Sequence, residues 1–399
     1  MDILSGKKVL LCIGGGIAAY KAPEIIRRLL ACGADVQVAM TKASREFVTP
    51  LVMQTLSRHP VATDLLDARE EAAIGHIRLA EDADVVLVAP ATADLLARLA
   101  AGMADDIVTA ALLVARCPVV VAPSMNSNML AHPSVVRSLA TLASWGHRIV
   151  ESDRGELACG YEGAGRLPDP DALIAELSAA LTPDDLVGRR VLVSAGPTRE
   201  PLDPVRYLTN RSSGRMGYAV AAAAWRRGAE VTLVSGPTSL ATPRGVARFD
   251  VLTAADMHRA MLERAPDSDV VVMVAAVADY RPTDVAADKI KKKSGEAVAL
   301  SLTENEDILA ALGRLPGERV LVGFAAETSD VLRHAREKLA RKGAHLIVAN
   351  DVTQPGVGFE TETNAALLVD ADGESETGLV SKDRLGELIL DRALALLTR

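Results

Sequence analysis

Aromatic side chains are scarce in this chain. Phe, Trp and Tyr make up 3% of its 399 residues, although 49% are hydrophobic. A core drawn mainly from Ala, Val and Leu suits helices packed on a parallel sheet. Cysteine is also sparse: Cys12, Cys32, Cys117 and Cys159 lie far apart, with no CxxC pair. That excludes a disulfide framework or a zinc cluster and suggests a reducing cytoplasm. No apolar run is long enough to span a bilayer, and no basic amphipathic tail suggests a membrane surface. The opening MDILSGKKVLLCIGGG resembles a signal peptide only superficially. Its apolar part is short, ends in glycines and leads into Tyr20-Lys21 rather than a cleavage site. Excess positive charge is missing: the net charge of −8 argues against general nucleic-acid binding. There is no GxxxxGK[ST], so the chain is not a P-loop NTPase.

The length favours two or three domains. In the first half, Val9–Cys12, Val36–Met40, Val85–Ala89 and Val119–Ala122 read as buried strands, with a helix from Ile17 to about Leu30 and another over Asp171–Leu181. In the second half, Val191–Ala195, Val231–Val234, Val270–Ala275, Val320–Ala325 and Leu346–Ala349 read as strands. Gly217–Arg227, Ala254–Arg264, Asp307–Leu315 and Thr328–Lys342 read as the helices between them, before a terminal hairpin and a last helix over Asp383–Leu397. The expected fold class is therefore α/β with two doubly wound domains, over residues 1–182 and 189–399, joined by a linker at 183–188.

Several stretches sit where open α/β sheets bind ligands, just beyond strand C-terminal ends. The turn Gly14-Gly15-Gly16 opens a nucleotide or flavin fold, or is only a tight turn, since a strict GxGxxG is missing. Pro90-Ala91-Thr92 and PSMNSNM each follow a strand and suggest one shared crevice. Cys159 lies in a glycine-rich charged stretch resembling a flap and is the best candidate for a reactive thiol. The other three cysteines fit packing positions. His76 is either a base or a surface histidine, and Asn126 either holds a carboxylate or shapes a turn. The 23-residue stretch Ala195–Gly217, with three prolines, is too long for a simple connector. Its end, Ser212 to Gly217, offers small residues, amides and a cation before a helix, which suits an anion. Lys289-Ile290-Lys291-Lys292-Lys293 is the one dense cationic run. It is either a solvated loop or part of a triphosphate site. Asp279 could hold a nucleotide group or a metal.

In the first half GGGIAAYK, GHI, APATADLLARLAAGMADD, PSMN and ACG stand in this order. In the second half AGPTREPLDPVRYLTNRSSGRMG, AAVADYRP, KIKK, GFAAET and AND follow. Together they resemble the bifunctional bacterial phosphopantothenoylcysteine decarboxylase/phosphopantothenate–cysteine ligase family of coenzyme A synthesis. The resemblance covers nearly the whole chain. It implies a flavodoxin-like N-terminal domain binding FMN through Gly15, Gly16, Ile17, Thr41, Pro90, Ala91 and Thr92. It also implies His76 as a base for the oxidative steps, Asn126 as the holder of the substrate carboxylate, and Cys159 as the acid that completes reduction after CO2 is lost.

For the second half the resemblance implies a Rossmann-like ligase that joins 4'-phosphopantothenate to L-cysteine through an acyl cytidylate made from CTP, with Mg2+ (or Mn2+) on the triphosphate. Asn210 is assigned to acyl transfer and Lys289 to the transferring phosphate. Ser212, Gly214, Met273, Val274, Ala275, Asp279, Glu306, Asp307, Ile308, Leu309, Phe324, Lys338 and Lys342 are assigned to CTP. Metal ligands are not assigned. The family's assembly implies trimeric decarboxylase units joined by ligase dimers, in the cytoplasm, without nucleic acid or membrane. Three positions depart from the family pattern: Ser124 for Ala, Arg215 for Lys and Glu306 for Pro, the last bearing on nucleotide preference. Two other readings stand beside this one. A flavoprotein decarboxylase for another cysteine-containing substrate, or a flavin prenyltransferase, leaves the second half unexplained. A regulatory flavoprotein would tend to lose one of His76, Asn126 and Cys159, and all three are present.

Overall fold

The computed structural model describes residues 3–65, 75–156, 160, 162–291, 299–327, 329–351, 353, 356, 358 and 361–398. They form two compact units, 2–183 and 184–399.

In the first unit the strands are β1 (Lys8–Ile13), β2 (Asp35–Met40), β3 (Val61–Ala62), β4 (Val85–Ala91), β5 (Val119–Pro123) and β6 (Arg148–Ile149). They form one sheet in the order β3-β2-β1-β4-β5-β6, and every neighbouring pair is parallel. The order reverses between β1 and β4, so their C-terminal ends define the ligand crevice of a doubly wound sheet. The helices are α1 (Ala22–Ala31), α2 (Pro50–Ser57), α3 (Gly75–Glu81), α4 (Ala93–Ala100), α5 (Ile107–Val114), α6 (Ser127–Leu130), α7 (Pro133–Ser144) and α8 (Pro170–Ala180). Both sheet faces are covered. Val9, Leu11 and Ile13 of β1 join one core layer, and Leu10 and Cys12 join the other. This two-sided burial is why the strands read as continuous apolar runs. The helix expected from Ile17 is instead a 3-10 turn, Ile17–Lys21, followed by α1. Pro23 lies in the first turn of α1, where its missing N–H costs nothing, so a fresh helix starts there. An antiparallel hairpin, β7 (Asp153–Glu156) and β8 (Glu162–Arg166), replaces part of the expected flap.

The second unit begins with Leu186 buried in its core and Asp185 paired with Arg227 at 2.7 Å. Its strands are β9 (Arg190–Ala195), β10 (Arg199–Pro201), β11 (Tyr207–Thr209), β12 (Glu230–Ser235), β13 (Val246–Asp250), β14 (Val270–Met273), β15 (Tyr280–Pro282), β16 (Leu302–Glu304), β17 (Val320–Glu327), β18 (Leu346–Asp351), β19 (Thr363–Asp370) and β20 (Gly373–Ser381). The helices are α9 (Arg215–Arg226), α10 (Ala254–Arg264), α11 (Ile308–Gly313), α12 (Val331–Lys342) and α13 (Lys382–Leu397). The main sheet has the order β13-β12-β9-β14-β17-β18-β19-β20, parallel through β18 and closed by the antiparallel hairpin β19–β20. Reversal of order between β9 and β14 again places a crevice at strand C-terminal ends.

The long polar stretches hold structure of their own. Residues 195–217 contain the ribbon β10–β11. Its turn forms because the Asp203 carboxylate accepts from the Val205 and Arg206 amides, both at 2.8 Å. A second ribbon pairs β15 with β16.

Candidate functional site

In the first unit the glycine turn is a cradle formed by close backbone approach. The Gly14 amide donates to the Pro90 carbonyl at 3.1 Å, and a Cβ on Gly14 would stand 2.4 Å from that oxygen. A Cβ on Gly15 would stand 2.3 Å from the Ala43 side chain, and one on Gly16 would stand 3.1 Å from Thr92 Cγ2. Side chains are therefore excluded at Gly14 and Gly15, so backbone approaches backbone there, while the Gly14 and Gly16 amides donate within the turn to the Pro90 and Gly14 carbonyls. The turn brings Gly15, Gly16 and Ile17 beside Pro90, Ala91 and Thr92 at the β1–β4 switch point. Ile17 is exposed and Ala91 buried. Thr92 caps α4, accepting from the Leu95 amide. Thr41 lies at the end of β2, but its hydroxyl holds backbone, donating to the Ile13 carbonyl and accepting from the Ser44 amide. A flavin with a phosphate tail fits this cradle of small residues.

Asn126 follows β5 and is the N-cap of α6, its side-chain oxygen accepting from the Asn128 amide at 2.9 Å. The β7–β8 hairpin is seated on this turn. Met125 donates its amide to the Gly165 carbonyl at 3.0 Å, and the Ser124 hydroxyl donates to the same oxygen at 3.2 Å. A Cβ on Gly165, where φ is +124°, would meet the Met125 carbonyl at 2.1 Å. Ser127 Oγ is buried beside Gly163 and has no hydrogen-bond partner among the described residues. Cys159 lies outside the described residues, but the strands that flank it pair Glu156 with Glu162. His76 is half-buried on α3. Burial pushes the Cys12 thiol up, which keeps that cysteine inert. Cys32 and Cys117 are half-buried packing residues.

The second unit has a cleft of about 770 Å³ at the C-terminal ends of β9, β14 and β17. It gathers Asn210, Ser212, Gly214, Met273, Val274, Ala275, Asp279, Glu306, Asp307, Ile308, Leu309, Phe324, Lys338 and Lys342. Lys289 is not among the lining residues and is exposed. Lys292 and Lys293 of the basic run lie outside the described residues. Asn210 Nδ2 donates to the Ala276 and Val277 carbonyls at 3.2 and 3.0 Å, which ties β11 to the segment after β14. Gly214, at φ +79°, closes the turn into α9, and Ser212 Oγ accepts its amide at 3.3 Å.

Across the cleft, Asp307 caps α11 by accepting from the Ala310 amide at 2.9 Å. It also pairs with Lys342. Burial raises the Asp307 carboxyl, but the hydrogen bonds from Lys342 and Ala310 outweigh it and hold the group below the ordinary range. Lys338 donates to the Phe324 carbonyl at 2.8 Å, and burial pushes its ammonium down. Glu306 pairs with His258 at 3.0 Å.

Residues without an assigned role shape this cleft. Ser194 Oγ accepts the Val274 and Ala275 amides, each at 3.0 Å. Thr198 Oγ1 accepts the Ala278 amide at 3.0 Å, and Asn305 Nδ2 donates to the Ala278 carbonyl at 2.8 Å. The available signal was Ser194 itself, a polar residue inside the apolar run Val191–Ala195. Asn350, within the AND motif, also lines the cleft, as do Asn364 and Lys382, which lie outside the motifs. Among the described residues no group of three or more His, Cys, Asp or Glu side chains converges as a metal cage.

Two family models divide the chain. Residues 2–182 match the family described as Flavoprotein, and residues 186–397 match the DNA/pantothenate metabolism flavoprotein C-terminal domain. The coenzyme A biosynthesis bifunctional protein CoaBC of Vibrio cholerae is 49% identical over 98% of this chain and 98% of its own. Its namesake from Bacillus subtilis is 46% identical over 99% of this chain and 98% of its own. A solved C-terminal domain of coenzyme A biosynthesis bifunctional protein CoaBC is 41% identical, spans 54% of this chain and 98% of its own, and superposes with a TM-score of 0.47.

Proposed function

Since the chain belongs to the family of coenzyme A biosynthesis bifunctional proteins, we propose that it carries out two consecutive steps of that synthesis. CTP-dependent ligation of 4'-phosphopantothenate with L-cysteine is assigned to the second unit, and FMN-dependent decarboxylation of the product to 4'-phosphopantetheine to the first. The observation that carries the ligase reading is the cleft that brings Asn210 and the Ser212–Gly214 turn together with Met273–Ala275, Glu306–Leu309, Lys338 and Lys342.

In the ligase step a phosphopantothenate carboxylate oxygen attacks the α-phosphorus of CTP. The bond to the β-phosphate breaks and pyrophosphate leaves. The cysteine amine then attacks the acyl carbon, its carbon–oxygen bond breaks, and CMP leaves as the amine gives up a proton. The Val274–Ala275 backbone, set by Ser194, faces the nucleotide. Lys338 and Lys342 offset the triphosphate charge, and a bound divalent cation, Mg2+ or Mn2+, would offset more of it. Asn210 orients the acyl group, and Lys289 stabilises the transferring phosphate.

For the decarboxylase step the cradle of Gly15, Gly16 and Ile17 against Pro90–Thr92, with Thr41, holds FMN. When bound, FMN supplies the reversible oxidation of the thiol-bearing carbon that makes CO2 loss possible. Asn126 donates to the substrate carboxylate and keeps it beside the reacting carbon. The His76 imidazole accepts the proton released as that carbon is oxidised. Once CO2 has left, the Cys159 thiol returns a proton to the enethiolate carbon. Cytoplasmic residence and a homo-oligomer of trimeric decarboxylase units joined by ligase dimers belong to the same reading. The test is purified protein given phosphopantothenate, cysteine and each of CTP, ATP and UTP, with nucleoside monophosphate and CO2 followed. A yellow protein with CTP-dependent CMP release is expected, whereas a colourless one without it contradicts the reading.

A further inference from the structure

Lys382 lines the ligase cleft but has no part in the chemistry above. It is the first residue of α13 and, although a lysine, is only 7% exposed. Its Nζ donates to the Gly358 carbonyl at 3.1 Å, and its backbone amide donates to the Glu362 carbonyl at 3.1 Å. Arg215, the first residue of α9, also lines the cleft and pairs with the Glu362 carboxylate at 3.0 Å. Two cationic side chains from two helices thus reach Gly358 and Glu362, both before β19.

The two helices run side by side in the same direction. A Cβ on Gly386 of α13 would meet the Ala219 carbonyl of α9 at 3.2 Å, so the backbones approach closely there. Further along, Arg226 pairs with Glu387 and Arg227 with Asp391, both at 2.7 Å. Contacts therefore advance together along both chains, and both N-termini end at the cleft. The helices are 12 and 16 residues long, so each brings a substantial positive end. Lys338 and Lys342, assigned to the nucleotide, project from α12 and engage the Phe324 carbonyl and Asp307, whereas Ser212 and Gly214, also assigned to CTP, stand immediately before Arg215. Burial, with Arg215 beside it, brings the Lys382 ammonium down to about 8. An anion placed against it would favour the charged form and offset part of that cost.

Ligation brings two phosphorylated substrates into one cleft, and Lys338 and Lys342 provide for one phosphate cluster. We propose that Lys382, together with Arg215, forms a second phosphate subsite of the ligase cleft and holds the terminal phosphate of one of the two substrates. This rests on the ligase reading above. The ligand is either the phosphomonoester of phosphopantothenate or the distal phosphates of CTP, and the two differ in which Michaelis constant depends on Lys382.

The experiment is steady-state CMP release by the full chain, varying phosphopantothenate, CTP and cysteine in turn, for wild type, Lys382→Met, Lys382→Gln and Lys382→Arg. The glutamine variant keeps a donor for the Gly358 carbonyl and guards against a folding failure of the methionine variant. In Lys382→Met and Lys382→Gln the KM for one phosphorylated substrate is expected to rise ~10-fold or more, with the other two constants within about two-fold, and Lys382→Arg to recover most of the loss. A rise for phosphopantothenate identifies the phosphomonoester, and a rise for CTP identifies the triphosphate. Unchanged KM values, or a uniform fall in kcat that arginine does not rescue, overturn the subsite. Failure of the wild type to release CMP would count against the ligase reading itself, not against the role of Lys382 within it.

Discussion

Single side chains do much of the shaping in both units. Ser194 accepts two amides of the cleft-lining segment proposed to bind the nucleotide, those of Val274 and Ala275. Removing the hydroxyl leaves both half-buried donors without it, at up to ~1–3 kcal/mol for each that water does not reach. Ser194→Ala is expected to raise KM for CTP at least ~10-fold while CO2 release from added phosphopantothenoylcysteine is unchanged. An unaltered KM would show that the segment holds its shape without the serine. Asp203 is a different case. Its side chain is fully buried and accepts from Arg206 and from the Val205, Arg206 and Ile290 amides. Burial raises its carboxyl, but these donors prevail and hold it well below the ordinary carboxylate range. Stability from such a group is present above its unfolded value, about 3.9, and is lost as pH falls through the lower folded value. Asp203→Asn should therefore lower Tm at neutral pH, and its gap from wild type should narrow below about pH 4. A gap independent of pH would remove the charge from the account. For Cys159→Ser the expected result is CO2 release without phosphopantetheine, read by product analysis. Full turnover would take the thiol out of the mechanism.

At the level of elements, the β7–β8 hairpin is held against the Asn126 turn through a glycine. Gly165→Ala would drive a Cβ to 2.1 Å from the Met125 carbonyl at a positive φ that alanine rarely adopts. Rigid backbone cannot yield as a side-chain end would, so a displacement costing ~1–3 kcal/mol follows. Decarboxylation should fall at least ~10-fold while CTP-dependent ligation persists, and equal loss of both activities would point to general misfolding instead. The main strands were legible in the sequence because both sheet faces are buried, so β1, β4, β9 and β14 appear as unbroken apolar runs. The ribbons β10–β11 and β15–β16 were not. Their strands are only three residues each and partly buried, and β15 pairs Tyr280 with Glu304 across more than twenty residues of chain, which no local pattern records. The 3-10 turn before α1 was readable in principle from Pro23. Lys382 was unreadable, since a lysine at a helix start is ordinary until α9 is seen beside it.

For the whole molecule, two sheets with the same opening strand order, each reversing at its first strand, place one crevice in each unit. The first is lined by glycines and small residues, the second by amides, asparagines and lysines. Chemistry follows that division: a cradle of glycines and small residues suits a flat cofactor with one phosphate, and a cleft rich in donors suits a triphosphate. No helix among the described residues is long and apolar enough to cross a membrane. The central claim is that one chain performs both reactions in sequence. The most direct measurement supplies the full-length protein with phosphopantothenate, L-cysteine and CTP, and follows CMP, CO2 and phosphopantetheine together. The account predicts that all three appear in equal amounts, and that omitting CTP abolishes them while added phosphopantothenoylcysteine restores CO2 and phosphopantetheine alone. CO2 release that needs CTP even when phosphopantothenoylcysteine is supplied, or no CMP under any condition, would contradict it.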